Sequence, residues 1–174
     1  GSSSHYATLP SGFSDFSSGA TFFFVADLDA GDSWERLIDF SLNGRSANAG
    51  TRNAGSPINV GRTSTGTGMT LGFYDPNKQE ISSNIILNNT LANYCVTADG
   101  SNAKFYRNGS LIQTISYTYL PQNETRTGNY IGQSRNPNDS YFDGQIAVVG
   151  IFNRALSSSE ITDLYDYYNA IYSF

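Results

Sequence analysis

The stretch from Tyr141 to Tyr165, YFDGQIAVVGIFNRALSSSEITDLY, decides the fold. It opens as a strand, with apolar residues at Phe142, Ile146, Val148, Val149, Ile151 and Phe152. The spacing then changes. Ser157 and Glu160 form the S-x-x-E pattern, in which a hydroxyl and a carboxylate satisfy the free amides of a helix start. Ile161, Leu164, Tyr165 and Tyr168 follow at i, i+3, i+4 and i+7, one face of a short amphipathic helix. Asn153-Arg154-Ala155-Leu156 is the turn between the two periods.

Working outward, the rest of the chain reads as strands punctuated by turns. Ala20 to Leu28, ATFFFVADL, is expected to be buried on both faces. Trp34 to Leu42 alternates, with Trp34, Arg36, Ile38, Phe40 and Leu42 on one side and Glu35, Leu37, Asp39 and Ser41 on the other. Pro57 to Arg62, Met69 to Tyr74, Gln79 to Leu87 and Leu91 to Ala98 are further strands. Asn108-Gly109, between Lys104-Phe105-Tyr106-Arg107 and Ser110-Leu111-Ile112, is the clearest hairpin turn. Together with Tyr130-Ile131-Gly132, this gives about eleven strands and one helix, the pattern of a β-sandwich and not of βαβ units.

Composition sets the outer bounds. A chain of 174 residues is expected to form a single domain, residues 1–174, with enough buried surface to need no staples. Aromatic residues reach 14% and charged residues only 14%, which argues against disorder. The net charge of −5 excludes non-specific nucleic-acid binding as a role. No apolar run approaches the ~20 residues of a membrane span, so no membrane insertion is expected. The single cysteine, Cys95, allows no intrachain disulfide and reads as a small buried hydrophobe. Gly1-Ser2 reads as a cloning remnant, and the rest of a larger multidomain chain is expected to surround this one.

Four segments, in order, resemble the laminin-G-like, concanavalin-A-like lectin/glucanase jelly roll. They are Phe22-Phe23-Phe24-Val25 with Trp34-Glu35-Arg36-Leu37-Ile38-Asp39-Phe40; Val96-Thr97-Ala98-Asp99-Gly100; Phe105-Tyr106-Arg107-Asn108-Gly109-Ser110-Leu111; and Ile131-Gly132 followed by Phe142-x-Gly144-x-Ile146 and Asn153-Arg154-Ala155-Leu156-Ser157. The resemblance implies an all-β antiparallel sandwich with one short C-terminal helix, and it puts Trp34 in the core. Ile146-Ala147-Val148 stands where the family often has Ile-Asp-Glu. Ala147, Val149 and Ile151 left exposed would favour a protein-interaction role.

The loops bear on three chemistries: glycoside hydrolysis, metal binding and sugar binding. Retaining glycoside hydrolysis needs two carboxyl groups about 5 Å apart, whereas Glu35 and Asp39 stand about 13 Å apart along an ideal strand. The reading is therefore non-catalytic, with a glycoside hydrolase as the remote alternative. The oxygen-rich run Asp27, Asp29 and Asp32 suits Ca²⁺, which takes 6–8 oxygen ligands. A second loop offers Asn136, Asn138, Asp139 and Asp143, from which Asp139 joins the candidate metal ligands; the resemblance implies such a rim Ca²⁺. For sugar, an aromatic face beside polar groups is needed. Tyr74 with Asp75 and Asn77, and Tyr141 with Arg135 and Asn136, are the candidates, and Tyr117 and Tyr119 are a second aromatic pair.

The expected function is a recognition module, extracellular or surface-exposed, that binds a glycan or a cell-surface receptor through its loops with Ca²⁺ assistance. The alternative is a structural or protein–protein interaction module of an adhesin, phage fibre or virion appendage.

Overall fold

The switch from strand to helix expected after Phe152 is present. The structure, a computed structural model, describes residues 5–12, 15–28, 34–42, 57–63, 68–73, 79–85 and 90–174. In chain order the elements are β1 (Ala7–Leu9), β2 (Ala20–Leu28), β3 (Arg36–Ser41), β4 (Ile58–Arg62), β5 (Met69–Phe73), β6 (Gln79–Ser82), β7 (Ala92–Ala98), β8 (Asn102–Arg107), β9 (Ser110–Ser116), β10 (Gly128–Ile131), β11 (Gly144–Phe152) and α1 (Ser158–Tyr172). They form two antiparallel sheets, ordered β1-β10-β3-β4-β5-β6 and β11-β2-β7-β8-β9. This is the all-β sandwich expected from the sequence.

The space between the sheets is filled by alternate residues of the facing strands. Phe22, Phe24, Ile38, Phe40, Ile58, Val60, Leu71, Phe73, Tyr94, Val96 and Phe105 all belong to one buried cluster. Burial of side chains this size is worth about 1.5–3 kcal/mol each, which makes this cluster the main source of stability. A second cluster lies on the far side of the five-stranded sheet. Phe23, Val25, Cys95 and Tyr106 meet Leu156 and Ile161 there, with Leu164, Tyr168 and Phe174 packed against them. The helix therefore covers the outer face of that sheet. It starts as its sequence dictates: Ser157 Oγ accepts from the Glu160 N–H, and the Glu160 carboxylate accepts from the Ser157 N–H at 2.8 Å. At the hairpin tip, Asn108 and Gly109 both have positive φ, as the turn demands. The Asn108 side chain also accepts from the Asn93 N–H at 2.9 Å.

Two β-bulges alter faces that strict alternation assigns. One lies between Arg36 and Ile38 on β3, where Leu37 joins Ile38 in the buried core. Trp34, expected as a core strand residue, instead precedes β3 with φ 67° and is only half-buried. The other bulge lies between Ile146 and Val148 on β11. Beyond it Val149 and Ile151 pack against the core between the sheets, while Val148 and Phe152 meet the helix. The exposed apolar face of Ala147, Val149 and Ile151 that would have favoured a protein-interaction role is not formed: of the three only Ala147 is exposed. Tyr117 and Tyr119 are corrected likewise. Tyr117 is buried and its hydroxyl accepts from the Phe73 N–H at 3.0 Å, while Tyr119 is half-buried beside it. Neither is an open platform.

Candidate functional site

On the six-stranded sheet the residues pointing away from the core form one cross-strand row. Thr8 pairs with Tyr130, Tyr130 with Asp39, Asp39 with Asn59, Asn59 with Gly72 and Gly72 with Glu80. Directly paired residues share a face, with Cβ atoms about 4.5–5.5 Å apart. Ile38, Phe40, Ile58 and Val60 face the core, so the interleaved Asp39 and Asn59 face outward. Outward does not mean solvated here: Asp39 and Asn59 are each 2% exposed, and Arg36 is 5% exposed.

The loop between β10 and β11 closes over Asp39. Backbone bonds pin its ends: the Gly132 N–H donates to the Leu37 carbonyl at 3.0 Å, and the Phe142 N–H donates to the Gly132 carbonyl at 3.1 Å. Within it the Arg135 N–H donates to Asp39 Oδ2 at 3.2 Å. The Ser134 hydroxyl lies between two carboxylates, 2.7 Å from Asp139 Oδ2 and 3.4 Å from Asp39 Oδ2. Having one proton, it donates to the nearer. Asn136 Nδ2 donates to Asp139 Oδ1 at 2.9 Å, and the Asn136 N–H donates to Ser134 Oγ at 3.1 Å.

Arg36 enters from the other side. The chain at Glu35 crosses so close to β4 that a Cβ on Gly61 would stand 2.1 Å from the Glu35 carbonyl oxygen. Only glycine permits that approach. Arg36 then stacks its guanidinium over the Trp34 ring, 5.2 Å from the centroid. Its Nη1 donates to the Arg62 carbonyl at 3.4 Å, and its Nη2 lies 3.7 Å from Asp139 Oδ2. Arg62 is tied to Glu35 at 3.1 Å, with both side chains buried.

The buried polar atoms of this cluster without a hydrogen-bond partner include Asp39 Oδ1, Asn59 Oδ1 and Arg36 Nε. Buried polar groups are nearly always hydrogen-bonded, so three orphans together mark a place where a further group belongs. Burial pushes the Asp39 carboxyl up, against the charges of Arg135 and Arg36 and the Arg135 N–H; Asp139 adds to the upward push. An aromatic patch borders the cluster. Tyr6 meets Tyr130 edge-on at 6.2 Å and Tyr141 at 6.5 Å, with Tyr6 52% and Tyr141 37% exposed.

Of the residues singled out from the sequence, Arg135, Asn136, Asp139 and Tyr141 share this one loop. Asp139 has both oxygens engaged there, by Ser134 and Asn136, and faces Arg36. Asp27 lies on β2, paired with Gln145 of β11 within the five-stranded sheet and so away from this cluster. Tyr74, Asp75 and Asn77, and also Asp29 and Asp32, lie outside the described residues. Among the described residues no three His, Cys, Asp or Glu side chains gather as a metal site would require. Sequence reasoning missed Arg36, Asp39, Asn59, Ser134, Tyr6 and Tyr130. The available signal was a polar residue set between apolar ones inside a buried strand, as at Asp39 and Asn59.

Residues 1–162 match the concanavalin A-like lectin/glucanases superfamily, and the chain belongs to that family. No curated protein matches it in sequence. In fold it is similar to the CBM40 of the Ruminococcus gnavus IT-sialidase, solved bound to alpha2,3 sialyllactose, with TM-score 0.66 and 14% identity over 92% of this chain and 95% of that one. Domain 4 of AbnA, an extracellular arabinanase from Geobacillus stearothermophilus in complex with arabinotriose, gives TM-score 0.64 and 15% identity over 91% and 71%. A leech intramolecular trans-sialidase gives 0.65 and 11% over 91% of this chain and 26% of that one. The neighbours thus include sugar-binding modules of larger enzymes.

Proposed function

We propose that this chain is a non-catalytic carbohydrate-recognition module. The observation that carries the reading is the trio of unpartnered buried atoms, Asp39 Oδ1, Asn59 Oδ1 and Arg36 Nε, beside exposed Tyr6 and Tyr141. Placed polar groups fix a sugar's hydroxyls and an aromatic ring supports its apolar face. Arg135, Asn136 and Tyr141 supply the loop side of the same site. The similar fold of sugar-bound modules supports the assignment.

A non-catalytic role is supported by what lies between the carboxylates. Asp39 and Asp139 converge on the hydroxyl of Ser134, a group of the protein itself, where a hydrolase would need room for a glycosidic bond and water. The extracellular setting and the larger parent protein belong to the same proposal, in line with the arabinanase domain.

Calcium remains attached to Asp27 with Asp29 and Asp32; Asp139, bonded within its own loop, is a poor fit for an additional cation. A glycan array read with and without EGTA tests both parts. Sugar binding lost with chelator supports the calcium site, and binding indifferent to chelator removes calcium from the mechanism. A folded protein that binds no glycan overturns the reading. Tyr141→Ala is expected to weaken binding roughly fivefold, the worth of one ring contact.

A second reading, protein interaction, draws on β9. It is the last strand of its sheet among the described residues, and Leu111 and Ile112 on it are exposed. Open sheet edges are templates for pairing. A dimer seen by light scattering and lost in Ile112→Lys would favour it.

A further inference from the structure

We infer that the loop between β10 and β11 is a flap that lifts as one unit from Asp39 and Arg36, and that a sugar reaches these two residues only while it is raised. The second half rests on the carbohydrate-recognition reading above; the motion itself does not.

Within the loop the bonds are short and local. Ser134 Oγ donates to Asp139 Oδ2 at 2.7 Å and accepts the Asn136 N–H at 3.1 Å, while Asn136 Nδ2 donates to Asp139 Oδ1 at 2.9 Å. Asn136 Oδ1 accepts the Asn138 N–H at 3.1 Å, and the Asn136 carbonyl accepts the Asp139 N–H at 3.2 Å. The ends meet where the Phe142 N–H donates to the Gly132 carbonyl. A compact surface loop with closed ends, filled by its own side chains, can keep its shape as it moves.

Toward the sheet the contacts are longer and polar. The Arg135 N–H donates to Asp39 Oδ2 at 3.2 Å, the Ser134 hydroxyl stands 3.4 Å from that oxygen with its proton turned to Asp139, and Arg36 Nη2 stands 3.7 Å from Asp139. Arg135 and Tyr141 make further contacts of their own. From Gln133 to Tyr141 no side chain belongs to either apolar cluster, whereas Phe142 packs against the core. Lifting the loop therefore exchanges polar contacts for water and gives up little apolar burial, the condition under which a segment opens ahead of the whole fold.

What lies beneath gives the motion a use. Asp39 and Arg36 are buried, so the closed form keeps both from a ligand. Yet Asp39 Oδ1 and Arg36 Nε have no hydrogen-bond partner there. With the loop raised, water or a sugar hydroxyl can meet them. A hydroxyl both donates and accepts, so it answers Asp39 whether or not that carboxyl carries its proton. A ligand that binds only the raised form selects it, and its association slows by the fraction of chains that are raised.

The test is amide hydrogen exchange on the free chain, followed by stopped-flow binding of the strongest binder from a glycan array. The Arg135, Asn136, Asn138 and Asp139 amides are expected to exchange through one common opening, at least about tenfold more populated than the opening that frees Gly132 and Phe142 at the loop base. Ser134→Ala removes the hydroxyl at the centre of the loop. It is expected to populate the opening about fivefold more, to leave the Gly132 and Phe142 amides unchanged, and to speed sugar association by the same factor. Loop amides that exchange only together with those of β2 and β7 overturn the flap, and so do loop amides that exchange independently of one another. Unchanged sugar association in Ser134→Ala, with its loop opening more often, overturns the gate and leaves the carbohydrate reading standing. No glycan bound by the folded parent chain removes the carbohydrate reading and the gate together, and the exchange pattern still decides the motion.

Discussion

Gly61 and Glu35 are in backbone contact: a Cβ at Gly61 would lie 2.1 Å from the Glu35 carbonyl oxygen and 2.9 Å from the Arg36 Cα. Both neighbours are main-chain atoms, so no side-chain rotation relieves the overlap. Gly61→Ala is expected to cost on the order of 1–3 kcal/mol, as forced overpacking does. Urea denaturation measures it. Because the displaced segment carries Arg36, the carbohydrate-recognition proposal also expects the variant to bind sugar less well; a fully stable variant with unchanged binding would refute the placement of Arg36.

The Glu35–Arg62 pair makes a sharper prediction. With both side chains buried and 3.1 Å apart, neither charge can return to water. Removing one partner strands the other, and Glu35→Ala should cost about 3–5 kcal/mol. The double variant Glu35→Leu with Arg62→Met should be less destabilised than Glu35→Ala alone. Equal losses in the two would show that the charges themselves are not what matters.

At the helix start, pH is the probe. The Arg154 guanidinium, then the Ser157 N–H and hydroxyl, hold the Glu160 carboxyl down at about 2, from an ordinary 4.5. A depressed carboxyl contributes stability that is present above the unfolded value and is lost as pH falls through the folded one. Helix ellipticity should therefore decline between pH 4.5 and about 2, and Glu160→Gln should flatten that window. Ser157→Ala removes the reciprocal acceptor and should cost about 1 kcal/mol at neutral pH.

Asp39 behaves oppositely. Burial raises its carboxyl above the ordinary 3.8, so the folded chain holds this proton more tightly than the unfolded chain. Its contribution to stability is fullest below 3.8 and is lost as pH rises through the folded value. The difference in melting temperature between the parent chain and D39N should shift in favour of D39N as pH rises from 3 toward 7. A difference that stays constant with pH would mean that Asp39 does not titrate abnormally.

Cys95 sits in the layer between sheet and helix, and burial pushes its thiol well above the usual range. A disulfide-exchange reagent should label it slowly in the native protein and at once in denaturant. Rapid native labelling would mean that α1 opens readily.

The sequence signals that succeeded are local ones. The change of period after Phe152, the Ser157–Glu160 cap and the Asn108-Gly109 turn each lie within a few residues, where neighbouring backbone groups decide the outcome. Arg135, Asn136, Asp139 and Tyr141 were legible together because one loop holds them all. The failures are shifts of face. A single extra residue between Arg36 and Ile38, or between Ile146 and Val148, changes which side later residues occupy, and alternation cannot foresee it. Asp39 and Asn59 meet only through strand register, which no local pattern encodes. That is why the floor of the site went unread while its rim did not.

The position of α1 has a consequence for how the molecule engages its surroundings. With α1 laid over the outer face of the five-stranded sheet, a ligand read by the other sheet would be met on one side only. On the carbohydrate-recognition proposal each copy would be monovalent, and firm attachment to a sugar-coated surface would come from copy number. Tandem or clustered copies would raise avidity with no added contact, provided their spacing matches that of the glycans.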